Sequence, residues 1–251
     1  QYKDEAFNKN IFSGKVIKGV ELQGSVLNKC IEILAYDYDI DILSKWINTY
    51  FSEEKLRERR NNQKVRFLKI CDKNGLKYDE SKIIYPKKVT AFIERSIYDE
   101  LIRYEENCEK LGEYAKHFGL FYRKCLTNIE SPFYMNYAID YPTYEEIVDS
   151  IHMAGGKAFL AHPFEYKFSN TLEFIDEIRK IRELDGIECY HPSAEEDNRI
   201  NILKEYANKN NLYISGGSDY HGTPKPDIEI GLGRGSLQIP KEIVKEWHRR
   251  D

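Results

Sequence analysis

The stretch Tyr141–Pro163, YPTYEEIVDSIHMAGGKAFLAHP, decides the fold class. Pro142 and Thr143 mark a helix start, with Glu146 three residues after Thr143 as in a capping box. Ile147, Val148, Ile151 and Ala154 recur at helical spacing, and Gly155-Gly156 ends the helix. KAFLAHP then reads as a short buried strand ending at His162. The scheme repeats in TLEFIDEIRKIREL, where Leu172, Ile175, Ile178 and Ile181 form one face closed by Asp185-Gly186. The strand IECY follows and ends at His191. A third helix around RINILKEYANKN leads into the strand LYISG and then to Asp219 and His221. Helix and strand alternating through short connections predict an α/β fold with a parallel sheet.

Three successive strands thus each deliver a potential metal ligand at their C-terminal end, where parallel α/β sheets and barrels assemble their sites. Singly, each residue has a plainer reading. His162 reads as a strand-end histidine with a satisfied hydrogen bond, His191 as a loop residue, and Asp219 and His221 as a turn aspartate and a surface histidine. Together, His, Asp and Glu at successive strand ends suit a hard-to-borderline divalent cation such as Mn, Zn or Fe. Two or more such ions bridged by a carboxylate form a clamp for phosphoryl chemistry. His117, His152 and His248 lie in helical or terminal stretches without companions and carry no such reading.

Two further strands are expected near the N-terminus. VIKGVEL ends near Glu21, and CIEILAYDY carries Glu32 in an otherwise apolar, β-prone run. A charge inside a buried strand is costly unless it is paired or bound to a metal, although strict alternation would turn Glu32 outward into solvent. Residues 41–139 read as helical and amphipathic: SEEKLRERRNNQKVRFLKICDKNGL is a basic helix closed by Gly75, and TAFIERSIYDELIRYEENCEKLGEYAKHFG supplies at least one more. The expected organisation is one α/β domain, 1–40 with 140–251, interrupted by a helical insertion at 41–139 that serves as a cap or substrate-selecting subdomain.

With 251 residues, 41% of them hydrophobic, the chain can bury a substantial core. A net charge of −4 with 32% charged residues argues against an extended nucleic-acid surface and leaves room for a local phosphate pocket. Five scattered cysteines without C-x-x-C spacing suit reduced thiols. No apolar run approaches a membrane span, and QYKDEAFNKN is unlike a signal peptide, so a cytoplasmic location is expected.

Taken in order, GVEL, GGKAFLAHPF, DGIECYHP and GGSDYHG resemble the polymerase and histidinol phosphatase (PHP) family, and Gly231 in IGLG falls at that family's tail motif. The resemblance covers nearly the whole chain, and the helical stretch resembles the insertion of the branch that acts on nucleotides and RNA 5′ ends. It implies a distorted seven-stranded β/α barrel holding two or three divalent ions (Mn, Zn or Fe). Glu21 matches the metal-bridging glutamate, His162 the ligand of the AHP motif, and Asp219 with His221 the final ligand pair. The glycines of GGSDYHG are expected to let the backbone turn sharply, so that both side chains of that pair face the metals. His191 lies beside that cluster and is expected to touch the substrate phosphate, and Arg60 matches a basic position of the insertion helix expected to meet the phosphate as a bidentate donor. Gln63 stands where the branch often has a second arginine.

Two departures follow from the same resemblance. Glu32 falls where the family usually has histidine, which adds negative charge to the site. The family's H-x-H strand and its following Asp-His strand have no counterpart, so the first recognisable element corresponds to the family's third strand. Because the remaining ligands are intact, the expectation is a chain lacking two βα units rather than a decayed site. The implied activity is metal-dependent phosphoester hydrolysis by a metal-activated hydroxide, acting on a nucleotide or short oligonucleotide. The alternative is a degenerate or truncated PHP-like module that binds a nucleotide or partner without catalysis. A C–N hydrolase on a similar barrel ranks below both, since no lysine stands between strands as a candidate for carboxylation.

Overall fold

The computed structural model describes residues 16–223 and 225–248, which leaves the stretch QYKDEAFNKN outside the described residues. Strands β1 (Gly19–Val26) and β2 (Lys29–Tyr36) are joined by Leu27 and Asn28, both with positive φ (49° and 61°). Two consecutive residues in that conformation make the tight turn whose twist suits a hairpin. Strand β1 therefore runs on past Glu21, which is its third residue rather than its end.

Helices α1 (Ile40–Phe51), α2 (Glu53–Lys73), α3 (Ile93–Leu101), α4 (Glu105–Leu111) and the single turn α5 (Phe118–Phe121) come next. Then α6 (Tyr144–Met153) precedes β3 (Lys157–Leu160), α7 (Thr171–Ile181) precedes β4 (Gly186–Tyr190), and α8 (Arg199–Lys209) precedes β5 (Tyr213–Gly216). The five strands form one sheet in the order β1-β2-β3-β4-β5. Strands β3, β4 and β5 are parallel, as expected for helix crossovers, but β2 pairs antiparallel with β3, Ile33 lying opposite Leu160. The sheet is mixed, because the long excursion between β2 and β3 releases that pair from the crossover geometry that keeps the later strands parallel. No helix among the described residues is long and apolar enough to cross a membrane.

The chain divides into two compact units: 1–22, 32–40 and 145–251 in the first, 23–31 and 41–144 in the second. In the first, β3 and β4 are almost wholly buried, as strands covered on both faces should be. Ile33, Ala35, Phe159, Leu160, Ile187 and Cys189 of the strands are fully buried, as are Ile147, Val148 and Ile151 of α6, Ile175 and Ile178 of α7 and Leu203 of α8. The buried face of α7 is Thr171, Phe174, Ile175 and Ile178, whereas Leu172 is only half-buried and Ile181 is 36% exposed. At about 100° per residue the stripe centres on Phe174–Ile178, which leaves Leu172 and Ile181 on its shoulders. Trp247 closes this core from the C-terminal segment, its Nε1 donating to the Ile214 carbonyl at 2.9 Å and its ring packing on Tyr36 and Phe159.

His152, expected to be without companions, pairs through Nε2 with Asp185 Oδ2 at 2.7 Å, and the Ala158 N–H donates to the same oxygen at 2.8 Å. His248 likewise pairs through Nδ1 with Asp37. Burial pushes the Asp185 carboxyl up, but the bonds from His152 and Ala158 outweigh it and hold the net value below the ordinary range. A carboxylate depressed on folding stabilises the native state at pH values above its unfolded pKa, near 4, and loses that contribution as the pH falls through its folded value. Asp185→Asn is therefore expected to cost about 1–2 kcal/mol at neutral pH. In thermal melts across pH the gap between wild type and variant should be present at neutral pH and close as the pH falls below about 4.

The second unit is helical. Helix α2 is capped by Ser52, whose side chain accepts from the Lys55 N–H, and it ends before Gly75 at φ 62°. The stretch after residue 90 forms two helices, α3 and α4. Phe67, Ile93, Ile97, Leu101, Phe121 and Leu126 lie at the centre of this unit's core. Ser25, at the tip of the β1–β2 hairpin, donates its N–H to the Pro142 carbonyl at 2.9 Å.

Candidate metal centre

All five expected ligands belong to the first unit, and the structure brings them together in two groups. His162 follows β3 by two residues in an unusual conformation, φ 26° and ψ 63°. Its Nε2 lies 3.0 Å from Glu21 Oε1 and 3.0 Å from Glu32 Oε2. Glu32 occupies the half-buried face of β2, opposite buried Ile31, Ile33 and Ala35, so alternation turns its carboxylate toward His162 rather than into bulk solvent. The N–H of Glu32 donates to the Tyr166 hydroxyl at 2.8 Å. Burial alone would lower the His162 pKa, but the two carboxylates push it up to about 10. Its Nδ1 is buried and has no hydrogen-bond partner.

The second group is Glu21, Asp219 and His221. Asp219 sits at φ 52°, with His221 Nδ1 3.1 Å from its Oδ1 and Lys225 Nζ on its Oδ2. Burial raises the Asp219 carboxyl, but His191, Lys225 and His221 outweigh that and hold it well below the usual carboxylate range. Within each group the ligand atoms lie within 4.8 Å of one another, and Glu21 is common to both. The glycines before Asp219 act otherwise than expected. Neither Gly216 nor Gly217 has a positive φ, and the left-handed residue is Asp219 itself. Gly216 is required for close approach, since a Cβ there would lie 2.6 Å from Tyr190 Cβ.

His191 follows β4 directly and is 1% exposed. Its Nδ1 accepts from the Ser193 N–H at 3.0 Å. Its Nε2 points toward Asp219 Oδ2 at 3.5 Å, too far for a good hydrogen bond, and is otherwise unpartnered. Arg60, in the helical unit, is 8% exposed, and its Nη1 donates to the carbonyls of Pro86 and Lys88 at 3.0 and 3.1 Å. Gln63 donates to Asp140, which Arg66 also grips through both terminal nitrogens.

Three residues around these two groups are not singled out by the sequence. Glu188, in the middle of β4, is 5% exposed, accepts the His162 N–H at 2.9 Å through Oε2, and is pushed up to about 8 by burial. The signal was present, since a carboxylate in GIECY invites the same buried-charge argument applied to Glu32. Tyr166 and Lys225 had no pattern to reveal them. The donor set fits a divalent cation. Carboxylate oxygens and imidazole nitrogens converge, anionic groups outnumber Lys225, and buried imidazole nitrogens stand unpartnered.

No family model matches this chain. It is 25% identical over 246 residues to a 5′-3′ exoribonuclease of Haemophilus influenzae, covering 94% of this chain and 78% of that protein. It is 33% identical over 106 residues to the 5′-3′ exoribonuclease Rnm of Escherichia coli, covering 42% of this chain and 34% of that protein. Its fold is similar to that of an amidohydrolase from Chromobacterium violaceum holding sulfate and no metal (TM-score 0.57, 19% identity, 92% of this chain and 75% of the other). It is also similar to that of a protein from Bifidobacterium adolescentis described as a candidate metal-dependent phosphoesterase (TM-score 0.56, 20% identity, 95% and 77%). At these identities the structural likeness defines the fold alone.

Proposed function

We propose that this protein is a divalent-metal-dependent phosphoesterase of the PHP type. Its sheet would correspond to five strands of a seven-stranded barrel, and its helical unit would select the substrate. The observation that carries this reading is the sharing of Glu21 between two convergent ligand groups. The exoribonucleases among its relatives support a nucleotide or the 5′ end of a short oligonucleotide as substrate.

In this reading Glu32 and His162 would hold one ion and Asp219 and His221 a second, with Glu21 available to both. Such ions, when bound, supply Lewis acidity to phosphoryl oxygens and make water nucleophilic near neutral pH. The chain's own groups do the rest. His162 must give up the proton that Glu21 and Glu32 stabilise before its Nε2 can ligate. The Nε2 of His191, held only loosely at 3.5 Å from Asp219, offers a donor for a phosphate oxygen. Arg60, within the helical unit, has no carboxylate within ion-pair distance among the described residues, and two of its hydrogen bonds go to backbone carbonyls.

One observation favours the binding-only alternative. Lys225 already places an ammonium on Asp219, neutralising a carboxylate that an ion would otherwise hold. The test is phosphate release from nucleoside monophosphates and 5′-phosphorylated short RNAs, with Mn²⁺ or Zn²⁺ and with chelator, beside amide substrates as controls. Chelator-sensitive phosphate release is expected. Metal-loaded protein that binds these ligands and releases nothing would assign it to the binding-only class.

A further inference from the structure

Glu188 is the middle residue of β4, and its neighbours β3 and β5 each lead into a turn carrying proposed ligands. Its Oε2 accepts the N–H of His162 beyond β3. Its Oε1 lies against the turn beyond β5, where a Cβ added to Gly217 would come within 3.0 Å of it. One buried carboxylate therefore touches both turns. Each turn holds a non-glycine residue in the left-handed region, His162 at φ 26° and Asp219 at φ 52°. Such conformations persist only where the surroundings over-determine them. For His162 the visible restraint on the backbone N–H is Glu188. Glu188 belongs to neither convergent ligand group, so a direct hold on an ion is not what the geometry offers.

We propose that Glu188 is a positioning residue. By accepting the His162 N–H it fixes the main-chain conformation that aims Nε2 at Glu21 and Glu32, and by packing on Gly217 it sets the distance to the Asp219 turn. This rests on the metal-binding reading above for its consequence, but not for its geometry. A leucine at this position fills the volume and leaves the N–H unanswered. A glutamine keeps an oxygen in the same place without the charge.

The experiment compares the full chain with Glu188→Leu, Glu188→Gln and Gly217→Ala, in metal-free crystal structures and in Mn²⁺ titrations. In the leucine variant the His162 φ should move to negative values and Nε2 should leave Glu21 and Glu32. Its Mn²⁺ affinity should fall by about 10–100-fold, the usual loss when a partner that orients a metal ligand is removed. The glutamine variant should keep both the conformation and nearly the wild-type affinity, a rescue that a purely structural role would not predict. Gly217→Ala, which crowds Glu188 without removing it, should give an intermediate loss and keeps the question open to test should the leucine variant fail to fold. An unchanged His162 conformation in the leucine variant would overturn the proposal, and so would a glutamine variant as impaired as the leucine one. Absence of Mn²⁺ binding by the wild type would instead count against the metal-binding reading, while the metal-free structures still decide whether Glu188 holds His162.

Discussion

Glu21→Gln is expected to empty both metal positions at once, whereas Asp219→Asn and His162→Ala should each empty one. Among the described residues Glu21 alone is present in both candidate groups, its carboxylate 3.0 Å from His162 Nε2 and within 4.8 Å of ligand atoms of Asp219 and His221. An amide keeps the shape but loses the charge and most of the donor strength toward a hard cation. Affinity should fall by at least about 100-fold at both positions, beyond the usual cost of losing an orienting partner. Phosphate release should fall with it. Because Glu21 is exposed, the metal-free fold should melt close to wild type, which separates lost ligation from lost structure. Mn²⁺ titration by calorimetry reads the stoichiometry directly. Loss of a single equivalent in Glu21→Gln would mean that the two groups do not share this carboxylate.

Gly186→Ala should be the most damaging single methyl addition in the first unit. A Cβ at Gly186 would lie 2.2 Å from Phe159 Cε1, 2.4 Å from Phe159 Cδ1 and 2.6 Å from the Tyr213 carbonyl oxygen. The carbonyl belongs to the paired β5 backbone, and the Phe159 ring is fully buried between Tyr36 and Trp247. Neither neighbour can step aside, so the cost should reach about 3 kcal/mol, the upper part of the range for overpacked cores. For a chain of this size that lowers the melting temperature by about 10 °C. Phe159→Ala is destabilising alone, at about 3–5 kcal/mol, but it removes the ring that the new methyl strikes. The double variant should therefore be clearly more stable than the sum of the two single losses, measured by a double-mutant cycle. Simple additivity would show that the clash is relieved elsewhere.

The helices and strands of the first unit are legible because apolar residues carry their periodicity, and the candidate ligands His162, Asp219 and His221 because they closely follow short apolar strands. Glu21 was placed one element-end too early, since Gln23, Gly24 and Ser25 give no apolar signal that β1 continues. The antiparallel β2–β3 pairing had no local signature at all. Glu188 was readable in principle, as a lone carboxylate in a strand otherwise fit for burial. Lys225 was not, because its approach to Asp219 depends on the path of an irregular turn. Arg60 illustrates the same limit, since its carbonyl partners Pro86 and Lys88 lie more than twenty residues away, beyond the reach of helical periodicity.

The most direct test is the metal content of the protein purified without chelator, measured by plasma mass spectrometry. The shared-ligand arrangement predicts about two equivalents of divalent metal per chain, one for each ligand group, falling to near zero in Glu21→Gln. A folded protein that carries no metal and takes up none from excess Mn²⁺ or Zn²⁺ would contradict it.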